Sequence, residues 1–113
     1  MFIYHITETA TWQKVLSHGG AYVPTAFVND GFIHCSLENQ VLDVANRFYE
    51  KNDDLTLLKI DAIKLESPLV FENLEGASEL FPHIYGTLPM EAIFQALPLM
   101  KNQSGQFVFP DFY

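Results

Sequence analysis

The feature that most constrains the fold is a short apolar segment that runs directly into an amphipathic helix. Residues 32–35 read as a strand, and the turn residues 28–31 precede them. Ser36 follows as the predicted N-cap of a helix over residues 37–49. A strand end is rigid and a helix N-terminus offers free N–H groups, so many α/β sites are assembled at such junctions. We therefore expect a functional site here.

The order of the remaining segments predicts an α+β fold, organised as a single domain over residues 1–113. A strand over residues 2–6 should precede a helix over residues 9–18 that ends at Gly19 and Gly20. That helix should bury a stripe formed by Trp12, Val15 and Leu16. The later chain is mostly extended, and we expect strands over residues 55–61, 69–72, 93–97 and 106–109, the last two forming a hairpin. Between them we expect a loop that passes into an extended segment over residues 76–86, a helical turn over residues 89–92 and a turn at Pro98.

Charge and cysteine content exclude several classes of partner. Fourteen acidic residues against six basic ones give a formal charge of −8, which would repel a nucleic acid. A small phosphorylated ligand stays compatible, because backbone N–H groups and one arginine can oppose the global field. The lone Cys35 allows no intramolecular disulfide, and no apolar run approaches the roughly 20 residues of a membrane span. We expect a soluble, unprocessed cytoplasmic protein that does not bind membranes.

The predicted junction supplies three candidate catalytic residues. His34 and Ser36 lie two positions apart and so should share one face of the strand. Ser36 is better explained as a helix cap than as a nucleophile, since no nucleophile elbow surrounds it. Arg47 is the single arginine of the chain. It could bind a phosphate or carboxylate, or it could pair with Asp43 or Glu50 on the helix surface.

A second polar cluster lies late in the chain. His83 and Tyr85 should project to the same side of an extended segment, with the alternative that Tyr85 packs in the core and His83 lies at its rim. With His5 and His34, His83 raises the possibility of a three-histidine metal site. The spacing of these histidines is not typical of zinc ligands, so no metal is predicted.

Acidic residues are too numerous for the sequence to rank them as acid–base groups. Glu72, Glu79 and Glu91 lie close to apolar segments, where burial could raise the pKa of a carboxyl group. There is no P-loop and no Gly-x-Gly-x-x-Gly fingerprint in the chain. A nucleotide-binding motif of either kind is therefore not indicated.

Five pieces of the sequence together resemble the domain of unknown function 952 family of small bacterial proteins. They are residues 3–7, 31–36 and 81–86, together with Gln40 and the run 44–49. The resemblance extends from residue 3 to about residue 109. That family is similar in fold to the ADP-ribosyltransferases and the RNA 2′-phosphotransferases, and this implies two small, mostly antiparallel sheets that form a cleft, with two main helices early in the chain.

The resemblance implies roles for seven residues and NAD as a possible substrate. The first strand of those transferases typically ends in His-Gly-Thr, where this chain has His5-Ile6-Thr7. The side chain of Ile6 would narrow the path that the glycine leaves open. By resemblance, each of the seven residues would hold part of a nicotinamide dinucleotide or a phosphate: His5 and Thr7 at the ribose, His34, Ser36 and Arg47 at the phosphate or leaving group, and His83 and Tyr85 on the far wall.

Three functional hypotheses follow. The first is an ADP-ribosyltransferase-like enzyme acting on NAD or on another small molecule that contains ADP-ribose or phosphate. The second is a binding domain that keeps the cleft without NAD chemistry, which Ile6 and the absence of a placeable transferase glutamate would explain. Glu79 and Glu91 are candidates for that glutamate only because they lie late in the chain. The third is a metal-dependent hydrolase using His5, His34 and His83. Oligomeric state is not predicted.

Overall fold

Seven strands and three helices form the protein, which a computed structural model describes over residues 1–24, 26–73 and 78–112. The α+β class is confirmed. In chain order the elements are β1 (Phe2–Glu8), α1 (Thr9–His18), α2 (Phe27–Asp30), β2 (Ile33–His34), α3 (Glu38–Phe48), β3 (Leu55–Asp61), β4 (Leu69–Glu72), β5 (Phe81–Ile84), β6 (Ile93–Lys101) and β7 (Phe107–Val108), with single 3₁₀ turns at Ala62–Lys64 and Met90–Ala92.

The strands form two antiparallel sheets that meet at one point. Four strands are ordered β1-β3-β6-β7, and three are ordered β2-β5-β4. Tyr4, in the edge strand β1 of the larger sheet, exchanges two backbone hydrogen bonds with Ser36, at 2.8 Å and 2.7 Å. Because Ser36 lies two residues after β2, this bridge holds the two sheets together beside the start of α3.

The larger sheet is buried on both faces, because successive residues of β1 and β3 point into two different cores. One core contains Ile3 and Leu58 together with Trp12 of α1. The opposite core contains Leu57 together with Val41 of α3. Burial of one such side chain stabilises the fold by about 1.5–3 kcal/mol, so helices on both sides fix the sheet between them.

Helix α1 has the predicted bounds, and Gly19 follows it with a φ of 75°, a conformation that glycine adopts without strain. Trp12 is buried and Val15 packs against the same core. The prediction that Leu16 is buried was wrong, since 55% of this residue is exposed. The helix presents only the Trp12 and Val15 side of its apolar stripe to the sheet.

Ser36 does not cap α3, so that prediction was wrong. The helix begins at Glu38, and Leu37 is its N-cap. The Gln40 side chain accepts a hydrogen bond from the Leu37 N–H at 2.9 Å, which satisfies one of the free donors of this helix end. The pairing of Ser36 with Tyr4 places Ser36 in the sheet contact instead.

Pro98 was predicted to end a strand, yet β6 continues through it to Lys101, opposite Thr56 of β3. Strand β7 pairs with β6 only at Met100 and Lys101, so on the β7 side no strand lies opposite Pro98 to require the N–H that it lacks. The predicted hairpin of β6 and β7 is confirmed. Residues 76 and 77 of the predicted loop lie outside the described residues.

The segment before β2 also differs from its prediction. Residues 27–30 form the single turn of α2 rather than an open turn, and Gly31 ends it in the left-handed conformation with a φ of 78°. Strand β2 is correspondingly short. Within the described ranges, no helix is long and apolar enough to cross a membrane.

Candidate functional site

A cavity of about 480 Å³ lies where the two sheets and α3 come together. Tyr4 and Ile6 of β1 form one wall, and the residues of the smaller sheet form the opposite wall. Phe48, at the end of α3, is 64% exposed and also lines the cavity. The full lining is Tyr4, Ile6, Asp30, Phe32, His34, Cys35, Ser36, Val44, Phe48, Tyr49, Glu72, Asn73, Phe81 and His83.

His34 and His83 are neighbours across two paired strands on one wall of this cavity. They are paired in the register of β2 and β5, and their ring centroids are 5.1 Å apart in an edge-to-face arrangement. The side chain of His34 is 46% exposed, whereas that of His83 is 6% exposed. The antiparallel pairing therefore places two imidazoles, one open to solvent and one enclosed, on the same wall.

Each of these histidines contacts its own carboxylate. His34 Nε2 lies 3.0 Å from Asp30 Oδ2, and His83 Nδ1 lies 2.9 Å from Glu72 Oε1. A carboxylate accepts hydrogen bonds, so the contacting nitrogen of each neutral imidazole carries the proton. The other nitrogen, Nδ1 of His34 and Nε2 of His83, makes no hydrogen bond to any described residue and can accept a proton.

Phe32 holds the two imidazoles in place. Its ring stacks on that of His83 with centroids 4.3 Å apart, and it lies 4.6 Å from the ring of His34. Tyr85 contacts the same phenyl ring at 5.2 Å. The sequence prediction did not include Phe32, although its position two residues before His34 on a short strand was a signal that their side chains share a face.

Glu72 is stabilised in its charged form. The hydroxyl of Tyr85 and the ring of His83 both donate hydrogen bonds to its Oε1, and these bonds lower the pKa of the Glu72 carboxyl group. The expectation that burial raises this pKa was wrong, because the hydrogen bonds to the carboxylate outweigh its loss of hydration. Asp30 was missed as a site residue, because its pairing with His34 depends on the turn of α2.

A second cavity of about 320 Å³ adjoins the first. Ile6, Phe32, His34, Phe48 and Tyr49 line both cavities. The two cavities therefore share a wall of apolar and aromatic side chains, and together they are called the groove below.

The far end of the second cavity contains a buried polar triad of His5, Tyr22 and Thr7. His5 Nδ1 donates to the backbone oxygen of His34 at 2.6 Å, and its Nε2 lies 3.0 Å from the Tyr22 hydroxyl. That hydroxyl is also 2.8 Å from Thr7 Oγ1. Burial lowers the pKa of His5 to about 4, so the ring is neutral at pH 7, with its single proton on Nδ1 facing the His34 carbonyl oxygen.

The remaining predicted site residues lie in different surroundings. Ser36 lines the first cavity but is buried and held by Tyr4. Arg47 lines neither cavity; its side chain is 65% exposed and pairs with Asp43 at 3.3 Å. Tyr85 is not part of either cavity wall and acts on the site through Glu72.

The structure does not assemble the three histidines into a metal site. Both nitrogens of His5 are occupied by His34 and Tyr22, so a metal ion would have to displace a buried hydrogen bond. Among residues 1–24, 26–73 and 78–112, no group of three or more His, Cys, Asp or Glu side chains is arranged to hold a metal. Cys35 lines the cavity, but burial raises the pKa of its thiol and keeps it in the less reactive protonated form.

Comparison with known proteins gives a family and a fold but no activity. The family model described as "Protein of unknown function (DUF952)" matches residues 6–96. An X-ray structure of the protein CC0527 from Caulobacter crescentus has 27% sequence identity and a TM-score of 0.83, over 96% of this chain and 94% of that one. A solution NMR structure of CC0527 has 28% identity and a TM-score of 0.80, over 93% and 90%. No curated protein matches the chain.

Proposed function

The chain belongs to the DUF952 family, a family of unknown function, and we propose from its own geometry that it is an enzyme acting on a small molecule. His34 and His83 act as a general acid–base pair in the cavity. The observation behind this proposal is their direct cross-strand pairing, with ring centroids 5.1 Å apart and a separate carboxylate on each ring.

The pair suits reactions in which one proton leaves and another is delivered. The neutral imidazole removes a proton from water or a hydroxyl group as that oxygen attacks, and the protonated imidazole donates a proton to the leaving group. Asp30 and Glu72 each accept a hydrogen bond from one ring and so orient it. General acid–base catalysis of this kind contributes about 10²- to 10⁴-fold in rate.

A substrate that contains ADP-ribose, such as NAD, is the second candidate. It is supported by the resemblance of the sequence motifs to the ADP-ribosyltransferases and by the two adjoining cavities, which could hold a two-part ligand with one part near His5 and Thr7. It is opposed by the charge of the groove. No Lys or Arg is among the described residues that line either cavity, and Arg47 lies outside both.

Turnover by matched histidine variants tests the proposal. Wild type, His34→Asn, His83→Asn and His18→Asn would be assayed on NAD and on chromogenic acetate esters, phosphodiesters and ribosides. His18 is exposed at the end of α1 and serves as the control. Asparagine can keep an N–H near the position of Nδ1, which preserves the contact of residue 83 with Glu72.

Loss of about 10²-fold or more in turnover for both cavity variants, with His18→Asn unchanged, is the expected result. The same proteins would be examined by thermal shift with NAD, ADP-ribose, nicotinamide mononucleotide, phosphorylated sugars and Zn²⁺. A ligand at 100 times its Kd stabilises the fold by about 2.7 kcal/mol. Binding without turnover of any substrate would refute the proposal that the protein is an enzyme and would support a binding domain instead.

A further inference from the structure

The walls of the groove are acidic. Asp30 and Glu72 line the first cavity and Glu8 lines the second, whereas no described Lys or Arg lines either one. The hydrogen bonds from Tyr85 and His83 lower the pKa of the Glu72 carboxyl group and keep it ionised at neutral pH. With neutral imidazoles, the groove therefore carries negative charge that a phosphate group would have to overcome.

Two basic side chains have partners outside the cavity lining. Arg47 pairs with Asp43 on the exposed side of α3, and its guanidinium also lies 5.5 Å from the ring centroid of Phe48. Lys59 lies over the ring of Phe2, 4.4 Å from its centroid, on the larger sheet. Neither side chain lines the groove, and neither forms an ion pair with Asp30 or Glu72.

The same cavity is rich in aromatic rings. Phe32, Phe48, Tyr49 and Phe81 contribute to its lining. Phe48 is largely exposed at the shared wall of the two cavities, and the Arg47 guanidinium lies 5.5 Å from its ring centroid, so the rings left for a ligand are those of Phe32, Tyr49 and Phe81. The face of an aromatic ring has negative electrostatic potential and attracts a cation, most strongly when water is excluded.

We infer that the groove binds a planar organic cation, namely an aromatic ring that carries a fixed positive charge and no phosphate group. Such cations are the substrate class of the proposed enzyme. That the cation is a substrate rests on the proposed function. That the ligand is a planar cation rests on the charge and shape of the groove. The rings supply stacking surfaces, and Asp30 and Glu72 supply the opposite charge.

Three probes of similar size and different charge test the inference. 1-Methylquinolinium is the cation, quinoline at pH 8 is the neutral molecule and naphthalene-1-sulfonate is the anion. Their dissociation constants would be measured by NMR titration, with the amide resonances of Phe32, Phe81 and His83 reporting binding in the cavity. Salt at about 0.15 M would limit the reach of surface charges to about 8 Å.

Variants separate the effect of the cavity carboxylates on binding from the effect of the overall charge of −8. Glu72→Gln keeps acceptor and size but removes the charge from the cavity wall. Asp43→Asn makes the same change in net charge on the exposed face of α3 and is the matched control. Asp30→Asn, in the exposed single turn of α2, is a second cavity variant that does not depend on the folding of Glu72→Gln.

The cation is expected to bind wild type about tenfold tighter than the anion, a difference of about 1.4 kcal/mol. Glu72→Gln and Asp30→Asn should each weaken the cation several-fold, with quinoline unchanged and with Asp43→Asn without effect. Equal or tighter binding of the sulfonate, an equal effect of Asp43→Asn, or no shift of the cavity resonances with the cation would overturn the inference. Failure of the proposed function would appear separately, as unchanged turnover in His83→Asn while the cation preference persists.

Discussion

Lowering the pH from 7 to 4 is expected to destabilise the fold through His5. Burial holds the pKa of this ring at about 4 in the folded protein, against 6.5 for a free histidine. Between these values the unfolded chain binds a proton at His5 and the folded chain does not, so the free energy of unfolding falls as the pH falls. At about 1.4 kcal/mol for each pKa unit, the loss attributable to His5 is about 3 kcal/mol at pH 4.

The contacts of His5 explain why protonation is unfavourable. Its Nδ1 already donates to the His34 carbonyl oxygen at 2.6 Å, and its Nε2 lies 3.0 Å from the Tyr22 hydroxyl, which is itself fully buried and donates to Thr7 Oγ1. A second ring proton, on Nε2, would place a positive charge on a ring that is only 7% exposed, where little water can solvate it.

Urea unfolding of wild type and His5→Asn at pH 7, 6, 5 and 4 would measure the effect. Asparagine keeps a donor toward the His34 carbonyl group but cannot be protonated in this range. The variant should be less stable than wild type at pH 7, and the difference should shrink by about 3 kcal/mol at pH 4, while titrations common to both proteins cancel.

His18→Asn, at the exposed end of α1, controls for removal of a histidine. Because it keeps His5, it should lose the same free energy of unfolding between pH 7 and pH 4 as wild type does. A difference between wild type and His5→Asn that stays constant from pH 7 to pH 4 would refute the reasoning. So would ring ¹⁵N shifts showing His5 protonated on both nitrogens at pH 6.

Three further predictions concern packing, reactivity and the arginine. A Cβ at Gly86 would overlap the side chain of Ser67, so Gly86→Ala should lose about 1–3 kcal/mol of stability in urea unfolding, and adding Ser67→Gly should restore most of it; no recovery would show that the contact is not the cause. Burial raises the pKa of the Cys35 thiol, so a thiol reagent at pH 8 should label the unfolded protein and not the native one, and fast native labelling would contradict this. Because Arg47 forms an exposed pair with Asp43 and lies over the exposed ring of Phe48, Arg47→Gln should change the free energy of unfolding by less than about 1 kcal/mol, and a larger loss in urea unfolding would contradict this.

Much of the local structure could be predicted from the sequence. Helix α1 has the predicted bounds Thr9–His18, and β3 and β4 have the predicted bounds Leu55–Asp61 and Leu69–Glu72. These elements depend on short-range patterns, such as apolar alternation in a strand and a glycine pair after a helix. The errors at Leu16 and Pro98 came from contacts with distant residues, which decide whether a face is covered and whether a strand continues.

The candidate site was predicted in part. His34 and His83 were both named as site residues, but their direct pairing depends on the register of β2 and β5, which are separated by almost fifty residues. Glu72 and Asp30 were not linked to these histidines in advance. Their partnerships arise from the pairing of β4 with β5 and from the turn of α2, and neither has a signature in the local sequence.

The sequence by itself determined the class of the fold, the helix and strand segments, and the presence of polar side chains at the end of the strand that precedes α3. Only the tertiary structure decided what those side chains can do. It buried His5 between a carbonyl group and Tyr22, turned Arg47 outward, and brought the rings of His34 and His83 together edge to face. The physical reason is that the protonation and reactivity of a side chain depend on burial and on partners, and distant parts of the chain supply both.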